Sequence, residues 1–519
     1  HYNQLEGNID FLTTMNFSVL YLHHNVFTGQ FNIQETQLLS IVYLDISANF
    51  LTGSLPYNPY WERIYVYEAY NNLFSGTLPT FQFTDSMTYF VTAFNYLIST
   101  IPINFFNSAN NLFFIGLSNN YLSGSLPTII GNYPFINQII LNNNLFSSFL
   151  PSLENNTLLV ALEIANNQFI GHLPISLLKN QYLQQLFLQN NHFSGSLSSF
   201  LNGTLQKRLV SIDVSANEFT GTLPIELFID APNLVSFAAS SNCLEGSIPE
   251  VICQVTTLNS LSLDGLSTSS SCRKDLFPNI PGLNGFTLSH FIHGTIPNCL
   301  YEMPHLQLLH VSGNGLAGTI PNHLNFSSIF SYLALSHNSL TGTIPNEIQQ
   351  RNWQDLDLSY NKLTGTLTSD FAILNGSASI SLEVNRLAGK IPSSLQGMNS
   401  LAEVNVLSGN IFSCDSDGSD LPQSDPDVHN YSCGSDNANN VLYAWLVALI
   451  FFPLIILFLL KLSFAISISL KELIQHCLQQ WSKWSTALTA NEQRVNLTRL
   501  SIYFSEMRRG SLKLMLYCL

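Results

Sequence analysis

The side chains that could carry out acid–base or metal chemistry are thirteen histidines and thirty-three acidic residues in a chain of 519 residues. His23 and His24 stand side by side, and His290 is followed by His293. Neither pair lies in an H-E-x-x-H context, and neither a G-x-S-x-G motif nor a carboxylate pair stands in a recognisable setting. We therefore expect a chain that is not an enzyme and that carries no metal or cofactor.

The balance of charge argues against nucleic acid as a partner. Lys plus Arg is 18 and Asp plus Glu is 33, a net charge of −15, whereas phosphate binding needs a basic surface. Residues 461–519 contain eight basic and three acidic residues, which leaves ten basic and thirty acidic residues before them. This asymmetry indicates that the two parts of the chain face different compartments.

A twelve-residue phrase sets the organisation of the chain. Residues 356–367 read LDLSYNKLTGTL, which fits the pattern L-x-L-x-x-N-x-L-x-G-x-L. Its Asn recurs with a mean period close to 24, because 407 residues separate the first and last of 18 slots. Two slots hold Leu266 and His290. The sixteen Asn slots are Asn3, Asn25, Asn49, Asn72, Asn95, Asn120, Asn144, Asn167, Asn191, Asn217, Asn242, Asn314, Asn338, Asn361, Asn385 and Asn410.

Each fixed letter of the phrase has a physical reason. Apolar residues at alternate positions, such as Leu356 and Leu358, form the inward side of a short strand, and stacked repeats join these strands into one parallel sheet. We expect the Asn amide to bond the backbone of its own and the next turn. A Gly four residues later, such as Gly342, permits a tight bend, and the following Leu/Ile-Pro marks the outer connection.

This pattern resembles the plant-type extracellular leucine-rich repeat of receptor-like proteins and receptor kinases, over roughly 410 of the 519 residues. The resemblance implies an α/β repeat solenoid of about 18 repeats, a horseshoe or superhelix whose parallel sheet is concave. It also implies a ligand-binding ectodomain. The chain departs from the family in that a paired-Cys N-terminal cap is absent, and we expect no long island between the repeats. Because His1 lies inside a repeat, we interpret residues 1–410 as an N-terminally truncated array.

Six cysteines precede the long apolar run and fit disulfides of an oxidising compartment. Cys414 and Cys433 flank the end of the array, and a bridge between them would close a loop over the last repeat. Four others surround the two slots without Asn, and their sequence allows three ways of pairing them. These four are Cys243, Cys253, Cys272 and Cys299.

Sequons for N-glycosylation precede the apolar run at six positions. The first five lie nine to fifteen residues before a ladder Asn and thus away from the strand, so glycans there would leave the strand face open. A further sequon at Asn496 follows the apolar run, and we expect it to be unmodified. The six predicted acceptors are Asn16, Asn155, Asn202, Asn325, Asn375 and Asn430.

The twenty uncharged residues 441–460 are long enough to cross a bilayer as a helix. Acidic residues before the run and basic residues after it place the repeats outside the cell and the tail in the cytosol. We therefore predict an acidic segment with a Cys-containing cap at 411–440, a transmembrane helix at 441–463 and a short basic tail at 464–519. The tail contains no H-R-D or D-F-G motif and cannot hold a kinase.

The phase of the repeat predicts which side chains face solvent on the strand side. If the ladder Asn is position n, these are n−7, n−6, n−4, n−2 and n−1. In the early repeats these columns are rich in aromatic residues, whereas between Asn217 and Leu266 they are mostly Ser, Ala and Val. Either a ligand surface or the high Phe content of the chain explains this. The candidate ligand surface comprises Tyr21, His23, His24, Tyr43, Tyr65, Glu68, Tyr70, Tyr89 and Phe94, with Phe113 and Phe114 beside them.

We interpret the chain as a single-pass plasma-membrane protein that recognises a peptide, protein or glycan on the concave strand face. The resemblance implies that a membrane co-receptor would transmit the signal. Two alternatives stay open at this point. One is a structural or adhesion protein of the cell surface, and the other is the ectodomain of a larger receptor enzyme.

Overall fold

The computed structural model describes residues 3–33, 38–79, 86–105, 109–275, 286–288, 292–371, 378–396, 403–415 and 418–433, together with Gln475, Gln479 and Ser482. The chain divides into two units, His1–Gly434 and Ser435–Leu519. The three described residues of the second unit are helical. The predicted transmembrane helix at 441–463 lies outside the described residues. Within the described part of the chain, no helix is both long enough and apolar enough to cross a membrane.

The first unit is built on a parallel main sheet, as the alternating leucines predict. Its strands follow one another in chain order, with sixteen of them in the described residues. They are Val19–Tyr21, Tyr43–Asp45, Val66–Glu68, Tyr89–Val91, Phe114–Gly116, Gln138–Ile140, Ala161–Glu163, Gln185–Phe187, Ser211–Asp213, Ser236–Ala238, Ser260–Ser262, Leu308–His310, Tyr332–Ala334, Asp355–Asp357, Ser379–Ser381 and Glu403–Asn405.

The ladder Asn side chains are buried behind this sheet and tie each repeat to the one before it. Asn144 accepts a hydrogen bond through Oδ1 from the Leu122 N–H at 3.0 Å. Its Nδ2 donates to the carbonyl of Leu117 at 2.9 Å and to that of Leu141 at 3.2 Å. The expected bond to the next turn is therefore a bond to the preceding turn. The reason is that the inward carbonyl three residues before each ladder position accepts from two successive Asn amides.

A second parallel sheet follows the ladder positions in the first half of the array, and the phrase did not predict it. It has eleven strands among the described residues. Gly124 ends one strand with φ of 76°, and a Cβ there would stand 2.6 Å from Thr100 Cγ2 of the previous repeat, so the bend requires glycine. The strands are Glu6–Gly7, Val26–Gln30, Phe50–Gly53, Leu73–Gly76, Tyr96–Thr100, Tyr121–Gly124, Leu145–Ser148, Gln168–His172, His192–Ser196, Glu218–Gly221 and Cys243–Leu244.

The array is interrupted after the slot of Leu266, which corrects the expectation of an unbroken series. The strand Ser260–Ser262 pairs directly with Leu308–His310, and the Leu266 N–H donates to Asn314 Oδ1 across 48 residues. No strand for slot 290 can enter the main sheet between them, and His290 itself lies outside the described residues. Instead, Phe286–Leu288 pairs antiparallel with Arg273–Asp275.

Two disulfides hold this insertion against the neighbouring turns. Cys243 is bonded to Cys272, and Cys253 is bonded to Cys299, which selects one of the three pairings left open by the sequence. At the slot without Asn, the backbone carbonyl of Leu266 accepts the Leu244 N–H at 2.8 Å and thus replaces the missing amide oxygen. The eighteen slots therefore yield sixteen main-sheet strands in the described residues.

Short helical turns and a small third sheet complete the outer connections. The 3₁₀ turns begin directly after the Leu/Ile-Pro pairs in several repeats, where Pro127, Pro174 and Pro249 are the N-cap residues. The third sheet consists of Thr364–Thr366, Arg386–Lys390 and Ile411–Ser413. The α-helices are Ile225–Ile229, Asn346–Gln349 and Ser393–Gln396, and the 3₁₀ helices are Asp10–Thr14, Thr128–Asn132, Ile175–Lys179, Leu197–Ser199, Glu250–Gln254, Ser270–Cys272 and Asn298–Glu302.

One hydrophobic core runs through the whole array, from Ile9 to Leu421. Its most regular part is a column of buried phenylalanines two residues after the ladder Asn. The rings of Phe146 and Phe169, Phe169 and Phe193, and Phe193 and Phe219 stack with centroids 6.2, 5.8 and 6.3 Å apart. These stacked rings fill the space between successive repeats, so much of the Phe content serves the core.

The segment 411–433 closes the last repeat. Cys414 is bonded to Cys433. Between them, the buried Asp425 accepts hydrogen bonds through Oδ2 from the N–H groups of Val406 at 2.7 Å and Leu407 at 3.0 Å. Leu421 joins the core. Backbone groups and apolar surface that a further repeat would have covered are thereby satisfied.

Candidate ligand-binding surface

The main-sheet face, meaning the solvent side of the main sheet, carries the predicted aromatic residues because strand side chains alternate between core and solvent. Tyr21 and Tyr65 are each 46% exposed and Phe94 is 56% exposed. Tyr43, Tyr70 and Tyr89 are partly buried against their neighbours. The n−2 column is less open than predicted, because Ser47 in that column is fully buried.

The predicted residues of the first three strands form one contact group. His23 Nδ1 lies 2.6 Å from Asp45 Oδ2, and the rings of Tyr21 and Tyr43 lie 4.6 Å apart. Burial, followed by the charge of Asp45 and a hydrogen bond with it, raises the pKa of Glu68 to about 7. Burial and the nearby Glu68 raise the pKa of Tyr43 as well. The group therefore places the carboxyl of Glu68, with its raised pKa, close to aromatic rings on the solvent side of the sheet.

His24 and Phe94 share an unusual backbone position. Both occupy the column just before the ladder Asn, with φ of 53° and 54°. The same column holds Asn119, Asn143 and Asn166, residue types that tolerate this left-handed region well. The column also holds Ala48, Tyr360 and Val384. A bulky aromatic residue such as Phe94 is strained in this conformation.

A groove opens beside the second to sixth strands of the main sheet, at the end where the chain enters each strand. Its volume is about 560 Å³. It brings together Tyr65, Tyr89 and Phe113 from the predicted surface, and the rings of Tyr89 and Phe113 lie 5.7 Å apart. Tyr21, His23, His24 and Tyr43 do not line it. Its other lining residues are Val42, Arg63, Ser86, Thr88, Asn111 and Phe135.

The sequence prediction missed Arg63, Ser86, Asn111 and Phe135. All four stand nine residues before a ladder Asn, which is two positions before n−7, the earliest column considered. The repeat phase could have identified this n−9 column, because its residues precede the strand in each repeat and extend the same solvent-facing side. The groove is therefore wider than the predicted stripe.

The face changes character along the array. Small residues replace the aromatics in the middle repeats, at Ser211, Ser215, Ala216, Ser236, Ala238 and Ser240. After the insertion the face is acidic, and His310 Nδ1 lies 3.6 Å from Asp264 Oδ2. Burial raises the pKa of Asp355 and that of Glu383 there. No group of three His, Cys, Asp or Glu side chains in the described residues is arranged to hold a metal ion.

Four of the predicted glycosylation sites are exposed, and Asn202 is partly buried among the described residues. Asn155 Nδ2 donates to Asn132 Oδ1 at 3.2 Å, on the connection opposite the strand. Asn375 lies outside the described residues, and so does Asn496. The exposed sites are Asn16, Asn155, Asn325 and Asn430.

Comparisons with known proteins agree with this architecture. Residues 330–350 and 352–374 match the sequence model of the Leucine Rich Repeat. Receptor-like protein 41 of Arabidopsis thaliana is 33% identical over 324 residues, which cover 57% of this chain and 36% of that protein. This chain resembles plant extracellular leucine-rich-repeat receptor-like proteins. The resemblance inferred from the repeat phrase is confirmed, although the chain spans only about a third of the length of the curated relatives it matches.

Solved plant receptors show the same fold. The structure of PEPR1 with AtPEP1 aligns with a TM-score of 0.64 and 25% identity, covering 83% of this chain and 60% of that one. The plant peptide hormone receptor RGFR1 in complex with RGF2 aligns with a TM-score of 0.62 and 25% identity, covering 80% and 64%. The parallel-strand repeat solenoid predicted from the sequence is thus shown, and these relatives are named as a receptor-like protein and as peptide receptors.

Proposed function

We propose that the chain recognises an extracellular peptide or protein ligand on the main-sheet face of its first five repeats and signals through a membrane partner. The observation that carries this proposal is the set of exposed aromatic side chains held on rigid strands, with Tyr21, Tyr65 and Phe94 about half exposed. Such side chains bring a large contact area at low entropic cost, which is why they dominate binding hot spots.

The high Phe content of the chain does not account for these residues. The stacked phenylalanines are buried in the core. The exposed residues are instead mostly tyrosines, which pair an apolar ring with a hydroxyl. In addition, Phe94 keeps an unfavourable backbone conformation while its ring faces solvent. Because Tyr360 at the other end of the sheet has the same conformation and is 42% exposed, the proposal rests on the clustering of exposed aromatics and not on this one ring.

The neighbours favour a peptide among the possible ligands. PEPR1 is described with AtPEP1, and RGFR1 is described as a plant peptide hormone receptor in complex with RGF2. A glycan remains the second class of ligand that an aromatic face could accept. For this chain, the ligand, the co-receptor and the signalling step belong to the proposal.

The proposed placement in the cell follows from the apolar run. Residues 1–410 and the cap at 411–440 would lie outside, 441–463 would span the plasma membrane, and 464–519 would lie in the cytosol. Enzymatic removal of N-glycans from the protein made in plant cells should increase its mobility on a gel. Replacing Asn496 should leave the glycan content unchanged, and a loss of glycan in that variant would contradict the orientation.

The decisive experiment measures ligand capture by matched variants. Extracellular peptides retained by the chain would be sequenced, synthesised and titrated against Tyr65→Ala plus Tyr89→Ala. We expect a loss of affinity of at least about tenfold, since removing two hot-spot side chains costs more than 1.4 kcal/mol. The control is Tyr332→Ala plus Tyr360→Ala on the same sheet near the other end, which should bind normally. Equal affinities of both variants would contradict the proposed surface.

A further inference from the structure

Arg63 is the only lysine or arginine in the first 178 residues of the chain. The next basic residue is Lys179, which forms an ion pair with Glu154. The same stretch contains nine acidic residues. Any negatively charged ligand that approaches the first five repeats therefore meets a single positive side chain, and its position matters.

The guanidinium of Arg63 is exposed and forms no hydrogen bond or ion pair with another residue that the structure describes. Several other basic side chains of the array are engaged. Lys207 Nζ lies 2.8 Å from Asp230 Oδ2, and Arg351 Nε donates to the Phe330 carbonyl at 2.7 Å. The five N–H donors of Arg63 are consequently available to an external acceptor.

Arg63 stands at the wall of the aromatic groove. Tyr65 lies two residues later, directly before the strand Val66–Glu68. Phe135, from a later repeat, lines the same groove and is 50% exposed. The hydroxyls of Ser86 and Thr88 donate to the carbonyls of Glu62 at 3.4 Å and Tyr65 at 3.0 Å, which fixes the positions of their oxygen atoms. The groove thus combines one cation with ordered apolar walls.

The neighbouring part of the face has the opposite charge. Asp45 and Glu68 lie on adjacent strands, and burial together with Asp45 raises the pKa of Glu68 to about 7. An anionic group placed over these strands would be repelled, whereas beside Arg63 it gains a charge-assisted, potentially bidentate hydrogen bond. The charges on this face therefore favour an anionic group beside Arg63 over one above Asp45 and Glu68.

From this geometry we infer that the groove binds a peptide segment in which a carboxylate adjoins an aromatic or large apolar side chain, with the carboxylate on Arg63 and the side chain against Tyr65, Tyr89 and Phe113. The inference rests on the proposed ligand-binding function and specifies its ligand class. The carboxylate could be that of a side chain or of a peptide C-terminus, because both present the same two oxygen atoms to the guanidinium.

Fluorine NMR of the full-length chain with 4-fluorophenylalanine peptides tests the assignment. One pair of probes compares acetyl-fluoroPhe-Asp-amide with acetyl-fluoroPhe-Asn-amide, and a second compares acetyl-Gly-fluoroPhe carboxylate with its amide. We expect the acidic member of at least one pair to bind about three- to tenfold more tightly, and this preference should shrink in high salt. The pair that shows it identifies the source of the carboxylate.

Variants locate the preference. Arg63→Ala should abolish it while leaving the neutral probes unchanged, Arg63→Lys should retain part of it, and Arg63→Glu should reverse it in favour of acetyl-fluoroPhe-Lys-amide. Lys179→Ala is the matched control and should behave like the wild type. Because the Arg63 side chain is exposed, the thermal unfolding midpoint should not change.

Three results would overturn the assignment: equal binding of acidic and neutral probes, no binding of either acidic probe, or a preference that survives Arg63→Ala. If all probes bind equally and Tyr65→Ala plus Tyr89→Ala removes them all, the proposed ligand surface stands and only the assignment of Arg63 fails.

Discussion

The first five strands of the main sheet and the last five share one framework and present opposite chemistry. The strands from Val19–Tyr21 to Phe114–Gly116 carry tyrosine and phenylalanine with a single arginine beside them. Those from Leu308–His310 to Glu403–Asn405 carry Asp355, Asp357, Glu383 and Glu403 on or beside the same face. The difference shows that face positions vary independently of the ladder that supports them.

The ladder makes the same bonds at both ends. Asn361 accepts from the Leu340 N–H at 3.0 Å and donates to the carbonyls of Leu335 at 2.9 Å and Leu358 at 3.1 Å. Asn95, after the fourth strand, and Asn144, after the sixth, each have the equivalent three partners. The framework is therefore the same at both ends, and only the exposed columns distinguish the two regions.

The largest expected effect tests this equivalence. Asn144→Ala and Asn361→Ala each leave a buried N–H and at least one buried carbonyl without their amide partner, so each should lower the free energy of unfolding by about 2–5 kcal/mol. Chemical denaturation of both variants measures this loss, and hydrogen exchange shows whether it is confined to the adjacent repeats.

Replacement of an exposed Asn in the column before the ladder, Asn143→Ala, serves as the control. It should cost much less, because Asn143 lies on the surface and its side chain donates a single hydrogen bond among the described residues, to Asn119 Oδ1 at 2.9 Å. A difference of more than about 2 kcal/mol between the two ladder variants would show that the framework is not equivalent at the two ends.

The phase of the phrase was sufficient to predict the main sheet, the buried ladder and the outward position of Tyr21 and Tyr65. It could not predict the second sheet, because that sheet depends on backbone pairing between segments whose side chains, such as Thr28 and Ser123, are not distinctive. The repeat phase also predicted a main-sheet strand for slot 290. The spacing alone does not reveal that this segment is an insertion held by two disulfides and lies outside the main sheet.

The groove shows the same limit for the candidate site. The repeat phase assigns residues to columns, and it therefore found Tyr65, Tyr89 and Phe113. That Arg63 and Phe135 complete one concavity with them depends on how successive repeats are offset, which is a property of the packed array. Likewise, the proximity of His23, Asp45 and Glu68 requires knowing the register of three strands.

A smaller effect should come from the carboxyl group of Glu68. Burial and Asp45 raise its pKa from 4.5 to about 7, and His23 and Tyr43 face the same group from the neighbouring strands. The folded state thus holds this proton more tightly than the unfolded state. The stabilisation is complete below pH 4.5 and is lost as the pH rises to about 7.

Glu68→Gln removes this pH dependence. Relative to the wild type, the free energy of unfolding of the variant should rise by about 1–2 kcal/mol between pH 5 and about pH 8, allowing for partial exposure of the group. Denaturant titrations at several pH values give the comparison. The wild type under the same conditions is the reference. If the free energy of unfolding of Glu68→Gln varies with pH in the same way as that of the wild type, the raised pKa of Glu68 is contradicted.

The smallest expected effect tests whether the strained backbone conformation at Phe94 serves ligand binding, with Val384 as the comparison. Phe94 and Val384 both occupy the left-handed column before the ladder, with φ of 54° and 51°. Replacing either with Asn relieves an unfavourable conformation and preserves the backbone bonds, such as Phe94 N–H to the Ser118 carbonyl at 2.9 Å. Each variant should therefore be more stable by up to about 1 kcal/mol, which thermal unfolding can measure.

The two variants should differ in ligand binding. Phe94→Asn removes an exposed ring from the proposed surface and should weaken capture of the ligand by about three- to tenfold. Val384→Asn, among the acidic repeats, should leave capture unchanged. If Phe94→Asn gains stability and loses no affinity, the strained aromatic has no role in recognition, and the contrast between the two ends of the sheet then concerns composition alone. A parallel loss in Val384→Asn would instead place part of the ligand on the acidic end.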